Sequence, residues 1–141
     1  MSGKKQEKTT TSFSILDFYN VDPNLEENGA VMKLREDPNG EAFFIVRPFP
    51  NPDYTRKISE AFQNNAEVFK KGGDEADELD KRLTAEVFAE TILVGCGGMA
   101  EEYSKEFAVK CMLNSRIRER ILNFAASINN FRIKDEEIEE K

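Results

Sequence analysis

The chain contains no histidine and no tryptophan, and only two cysteines. Without histidine the commonest general base and the commonest transition-metal ligand are both missing, and every Ser/His or Cys/His nucleophile pair is excluded. Two cysteines, Cys96 and Cys111, are too few for the disulfide framework of a secreted scaffold in a chain of 141 residues. They sit in apolar patterns that read as helical, which makes them reduced, buried thiols of a cytoplasmic protein. No apolar run approaches the roughly 18 residues needed to span a bilayer, and the N-terminus lacks an apolar secretory segment. A membrane is not an expected partner.

Motifs that bind phosphate or metal are missing too. Gly95-Cys96-Gly97-Gly98 lacks the G-x-G-x-x-G spacing of a dinucleotide loop and the trailing Lys-Ser/Thr of a P-loop, so it reads as a helix terminator. Asp74 to Asp80 packs five acids into seven residues but has no central glycine, so it reads as a solvated helix entry rather than a calcium loop. The carboxylates cluster in polar runs, without the burial that would tune one of them as an acid. The expectation is a non-enzymatic protein with no catalytic residue, no metal and no cofactor. A net charge of −7 argues against nucleic acid, because neither Lys4, Lys5 and Lys8 nor Arg116, Arg118 and Arg120 makes an extended basic face.

What the chain does have is charge and phenylalanine: 33% of residues are charged, 39% are hydrophobic, and eleven are Phe. That supports one modest core flanked by polar ends. Residues 1–11 form a polar, basic arm with nothing to bury, residues 12–133 a single mainly helical domain, and residues 134–141 an acidic tail. Phe13, Ile15, Leu16, Phe18 and Tyr19 are the first residues able to pack, and Asp22-Pro23-Asn24 then breaks the run.

Ala30–Arg35 and Glu41–Val46 are β-prone and flank an Asn39-Gly40 pair, which predicts a β-hairpin. Asn51-Pro52-Asp53 is a helix start, followed by apolar residues at helical spacing through residue 71. A second helix runs from the acidic segment to Val94, and a third begins at Ser104. A last one begins at Asn114-Ser115 and carries Ile117, Ile121, Phe124, Ile128 and Phe131 at spacings of four, three, four and three. The fold class expected is α+β: about four helices with a β-hairpin near the N-terminal third. The stripe of Ile117, Ile121, Phe124, Ile128 and Phe131 is the candidate core or partner-binding surface, and the core reading has the greater weight.

Three passages resemble one known family, the tail assembly chaperones of long-tailed, siphophage-like bacteriophages. Ile45-Val46-Arg47-Pro48-Phe49-Pro50-Asn51-Pro52-Asp53-Tyr54 resembles the family's strand and Asn-Pro helix start. Ala89-Glu90-Thr91-Ile92-Leu93-Val94-Gly95 resembles its helix end. Ser104 to Phe131 is similar to its two short helices closed by Asn-Phe. The likeness covers residues 45–131, and two places depart from it: Cys96 stands where the family usually has tryptophan, and Phe107-Ala108 where it often has Glu-Asn. The resemblance implies binding to a tape-measure protein and a tail-tube protein in the infected host's cytoplasm, and absence from the mature virion. Self-association stands beside these as an option. The alternatives are a structural virion protein, such as a head-tail connector or tail-completion subunit, and a small regulatory adaptor.

Overall fold

The structure, a computed structural model, describes residues 12–133, so the expected N-terminal arm (1–11) and acidic tail (134–141) lie outside the described residues. The architecture is α+β. In chain order the elements are α1 (Ile15–Phe18), α2 (Pro23–Asn28), β1 (Ala30–Lys33), β2 (Phe43–Val46), α3 (Pro52–Asn64), α4 (Ala66–Lys71), α5 (Gly73–Thr91), β3 (Leu93–Gly97), α6 (Lys105–Leu113) and α7 (Ser115–Ala126). A 3₁₀ turn, Ile128–Asn130, follows α7. The expectation of about four helices is therefore corrected to seven among the described residues. The three extra ones are the short α1, α2 and α4.

Capping chemistry explains several of the boundaries. Asp22-Pro23-Asn24 starts α2 rather than merely breaking the preceding run: the Asp22 carboxylate accepts the N–H of Asn24, and Pro23 opens the first turn. Asn51 caps α3 in the same way, through the N–H of Tyr54. The helix expected over residues 52–71 is interrupted at Asn65, whose side chain bonds back to the Ala61 carbonyl at 2.7 Å. Phe62 and Phe69 still meet across the break, with ring centroids 4.8 Å apart. Gly72, at φ 69°, ends α4. The acids from Asp74 to Asp80 lie exposed in the first turns of α5, where the helix dipole favours negative charge.

Two strand expectations change. β1 and β2 do pair antiparallel, Ala30 with Val46 and Lys33 with Phe43, but Asn39-Gly40 is not a two-residue turn. The strands stop short of it, and residues 34–42 form a wide loop between them. The larger correction is at residues 92–98. The expected second helix stops at Thr91, and Leu93–Gly97, with Cys96 inside it, is a third strand pairing antiparallel with β2. Its glycines are therefore not helix terminators. They allow close approach: a Cβ at Gly97 would stand 2.5 Å from Phe43 Cζ, and one at Gly95 would stand 3.0 Å from Ile45 Cγ1.

The sheet has the order β1-β2-β3, and Val94 is an extra residue in β3 where the register shifts. One sheet face, with Met32, Phe44, Val46 and Leu93, joins Ala85, Phe88, Ala89 and Ile92 of the α5 segment, Ala108, Cys111 and Met112 of α6, and Ile121 and Ala125 of α7 in the buried core. Phe49, Tyr54 and Phe88 form an aromatic cluster beside it, Tyr54 stacked on Phe88. The last helix ends at Ala126 rather than near residue 131, and the chain then turns so that Phe131 is buried by the 3₁₀ turn.

The two ends of the described chain are fastened together. The Asp22 N–H donates to the Phe131 carbonyl at 2.8 Å, and the Ile133 N–H donates to the Asn20 carbonyl at 3.1 Å. Arg132 donates from Nε to the Phe18 carbonyl and lies 4.4 Å over the Phe18 ring.

Candidate protein-docking groove

A concavity opens beside the loop 34–42. It has a volume of about 830 Å³ and an apolar floor built from four segments. Met32 and Phe44 come from β1 and β2, Leu34 and Ala42 from the loop ends, Met99 and Ala100 from the stretch after β3, and Ile117 from α7. Each is placed by a feature already described. Strand alternation turns Met32 and Phe44 to this side. Gly98 (φ 68°) packs its backbone against Glu41 so closely that a Cβ would overlap the Glu41 carbonyl. That contact brings Met99 and Ala100 to the groove.

The rim carries both signs of charge. Asp37 organises the loop: its carboxylate accepts the N–H groups of Asn39 (3.0 Å), Glu41 (2.8 Å) and Ala42 (2.8 Å). Those bonds, led by Ala42's, hold its pKa below the ordinary carboxylate value. Glu36 and Arg120 form an ion pair that links the loop to α7. Arg116 and Glu41 have no side-chain partner among the described residues.

The candidate stripe divides. Ile117 lines the groove and is half-buried, Ile121 is fully buried, and Phe131 is 1% exposed. Phe124 is half-buried, packing against the core and edge-on to Phe131 at 5.8 Å. Ile128 is half-buried in the 3₁₀ turn. Only Ile117 of the five is brought to the groove. Sequence reasoning missed Met32, Leu34, Phe44 and Met99 as groove residues. The one signal for them was two methionines in otherwise ordinary settings, and that is too weak to find a surface assembled from four separate segments.

Among the described residues no group of three or more His, Cys, Asp or Glu could hold a metal ion, and no helix is long and apolar enough to cross a membrane. Cys96 is half-buried and Cys111 buried, both as free thiols. Burial, reinforced by the nearby Cys96 and Glu101 side chains, pushes the Cys111 thiol up to about 11. Burial likewise raises Cys96, with a further push from Glu101. Neither is poised as a thiolate. No family model, no curated protein and no solved structure matches the chain.

Proposed function

We propose that this chain is a non-enzymatic tail assembly chaperone of a long-tailed bacteriophage, acting in the cytoplasm of the infected host. In this reading it binds the tape-measure protein, keeps that protein's long amphipathic helices in solution, and recruits tail-tube subunits as the tail grows. The supporting observation is the open groove with its Met32, Leu34, Phe44, Met99 and Ile117 floor and two-signed rim. An amphipathic helix presents apolar anchors at i, i+3, i+4 and i+7 to such a groove. Methionine is flexible enough to follow partners of varied shape. The likeness of residues 45–131 to the chaperone family supplies the particular class, and the net charge of −7 suits a binder that keeps a sticky partner soluble.

Co-expression with the tape-measure protein of the same phage tests the reading. That protein is expected to stay soluble and to co-purify with many copies of this chain. Filling the groove through the exposed Ala100, by Ala100→Trp, is expected to abolish capture without unfolding the chain. Mass spectrometry of purified particles is expected to find the chain absent. A stoichiometric amount in the particle would favour a head-tail connector or tail-completion subunit. Failure to bind either the tape-measure or the tube protein would end the chaperone reading.

A further inference from the structure

On one side the sheet ends in an open edge. β1 pairs with β2, and among the described residues no strand pairs with its other side. The ladder fixes where its backbone groups point. Leu34 donates its N–H to the Ala42 carbonyl, and Arg47 donates to the Ile92 carbonyl across the other seam. Antiparallel bonding alternates along a strand, so the even residues of β1 bond toward β2 and the odd ones point away. The free edge therefore presents the N–H and C=O of Val31 and Lys33 and the C=O of Gly29, whose own N–H already donates to the Leu25 carbonyl. The Val31 side chain, on the sheet face away from the core, is 53% exposed.

Open strand edges recruit other strands unless something blunts them. The opposite edge of this sheet is blunted: β3 is bulged at Val94, and Tyr103 donates its hydroxyl to the Leu93 carbonyl at 3.1 Å. β1 has neither a proline nor a bulge in its ladder. Its two flanks differ in charge. Glu26 and Glu27 lie in α2, just before the strand, and Lys33 and Arg35 lie at its far end. None of the four has an ion-pair partner among the described residues. Of the other acids nearby, Asp22 caps α2, Glu36 pairs with Arg120, and Asp37 accepts the amides of its own loop. Glu41, just before β2, makes no ion pair with either base, so both remain available to a second chain.

We infer that two copies of this chain pair antiparallel through β1, about a two-fold axis at Val31, joining their three-stranded sheets edge to edge. Val31 then stands opposite its own symmetry mate, exchanging both backbone bonds with it and covering its exposed side chain. The Lys33 N–H of each copy meets the Gly29 carbonyl of the other. Charge favours this direction of pairing. Antiparallel strands lay Lys33 and Arg35 of each copy beside the Glu27 end of α2 of the other, twice over, whereas parallel strands would set like beside like. The contact uses the same surface on both copies, so it closes as a dimer instead of running on. The axis stands perpendicular to the joined sheet, which puts the helical layers of both copies on one side. The inference rests on the strand edge alone and holds whether or not the groove takes a tape-measure helix.

Sedimentation velocity on the full chain, across a wide concentration range, is expected to show a reversible monomer–dimer equilibrium and no larger species. Hydrogen exchange reads the edge directly. The Val31 and Lys33 amides should exchange at least about tenfold more slowly in the dimer than in dilute monomer. The Leu34 amide, bonded to Ala42 within the chain, should not change. Val31→Lys sets like charges across the axis at an exposed position and should weaken dimerisation about tenfold. Arg35→Glu should weaken it by roughly the same factor, because the two-fold repeats an exposed charge pair. Adding Glu27→Lys to Arg35→Glu should restore the wild-type constant, which a misfolded variant could not do. A monomer at every concentration overturns the inference. So does a dimer that survives Val31→Lys, a charge swap that fails to rescue, or Val31 and Lys33 amides that exchange alike at all concentrations. Association lost in Leu16→Asp but kept in Val31→Lys would put the contact at the exposed α1 segment and overturn it as well.

Discussion

Asn51 donates its side-chain N–H to the Pro48 carbonyl at 2.9 Å and to the Thr91 carbonyl at 3.0 Å, while its Oδ1 accepts the N–H of Tyr54. It is 4% exposed, so water cannot replace those bonds. Asn51→Ala is expected to cost about 3 kcal/mol in denaturant unfolding, a lost cap plus two stranded buried carbonyls. The capping role is legible in the sequence, because Asn-Pro-Asp is a local signal. The tie to Thr91 is not, since it joins residues that meet only once β2 and the end of α5 are side by side. The thiols give a second test. Cys96 should react with a disulfide reagent before Cys111, because Cys96 is partly accessible while Cys111 is buried and held protonated up to about pH 11. Full labelling of Cys111 in the native state, at the rate of Cys96, would contradict that burial.

At the level of elements, the β-prone runs of β1 and β2 and the helix starts follow from local chemistry, whereas the wide loop in place of an Asn39-Gly40 turn and the strand β3 do not. Ile92-Leu93-Val94 continues the apolar density of α5 without a period that distinguishes strand from helix, and glycines normally end helices. What makes the segment a strand is β2, whose Phe43 and Ile45 lie over Gly97 and Gly95. Gly98→Ala should be costly, by roughly 2 kcal/mol or more, because it combines a positive φ with a backbone clash. Thermal melting of the variant checks it. The loop 34–42 hangs on one carboxylate, so Asp37→Ala should lower the melting temperature and increase hydrogen exchange at Asn39, Glu41 and Ala42. An unchanged exchange rate at those three amides would show that the loop is held by something else.

Among the described residues, three carboxylates, Asp37, Asp53 and Glu90, bind protons less readily folded than unfolded. Asp37 is lowered by its loop amides, Asp53 chiefly by the hydrogen bond from Arg47, and Glu90 chiefly by that from Lys105, with Lys57 assisting. Each contributes stability that is present above its unfolded pKa and lost as pH falls through its lowered folded pKa. Stability should therefore fall with acidification below the ordinary carboxylate range, and Glu90→Gln should flatten part of that slope in chemical denaturation run from neutral to acid pH. The groove was illegible at this scale because it exists only where loop 34–42, the turn after β3 and the start of α7 converge. The bridge between residues 20–22 and 131–133 has a consequence for connectivity itself. With residues 20–22 and 131–133 laced side by side, the stretch between them is topologically almost a ring, and the order in which its elements are translated is nearly arbitrary. A circular permutant of residues 12–133 that joins residue 133 to residue 12 through a flexible linker and opens between Gly72 and Gly73, where both glycines face open space, should fold to the same arrangement. It would carry its new termini at the junction of α4 and α5.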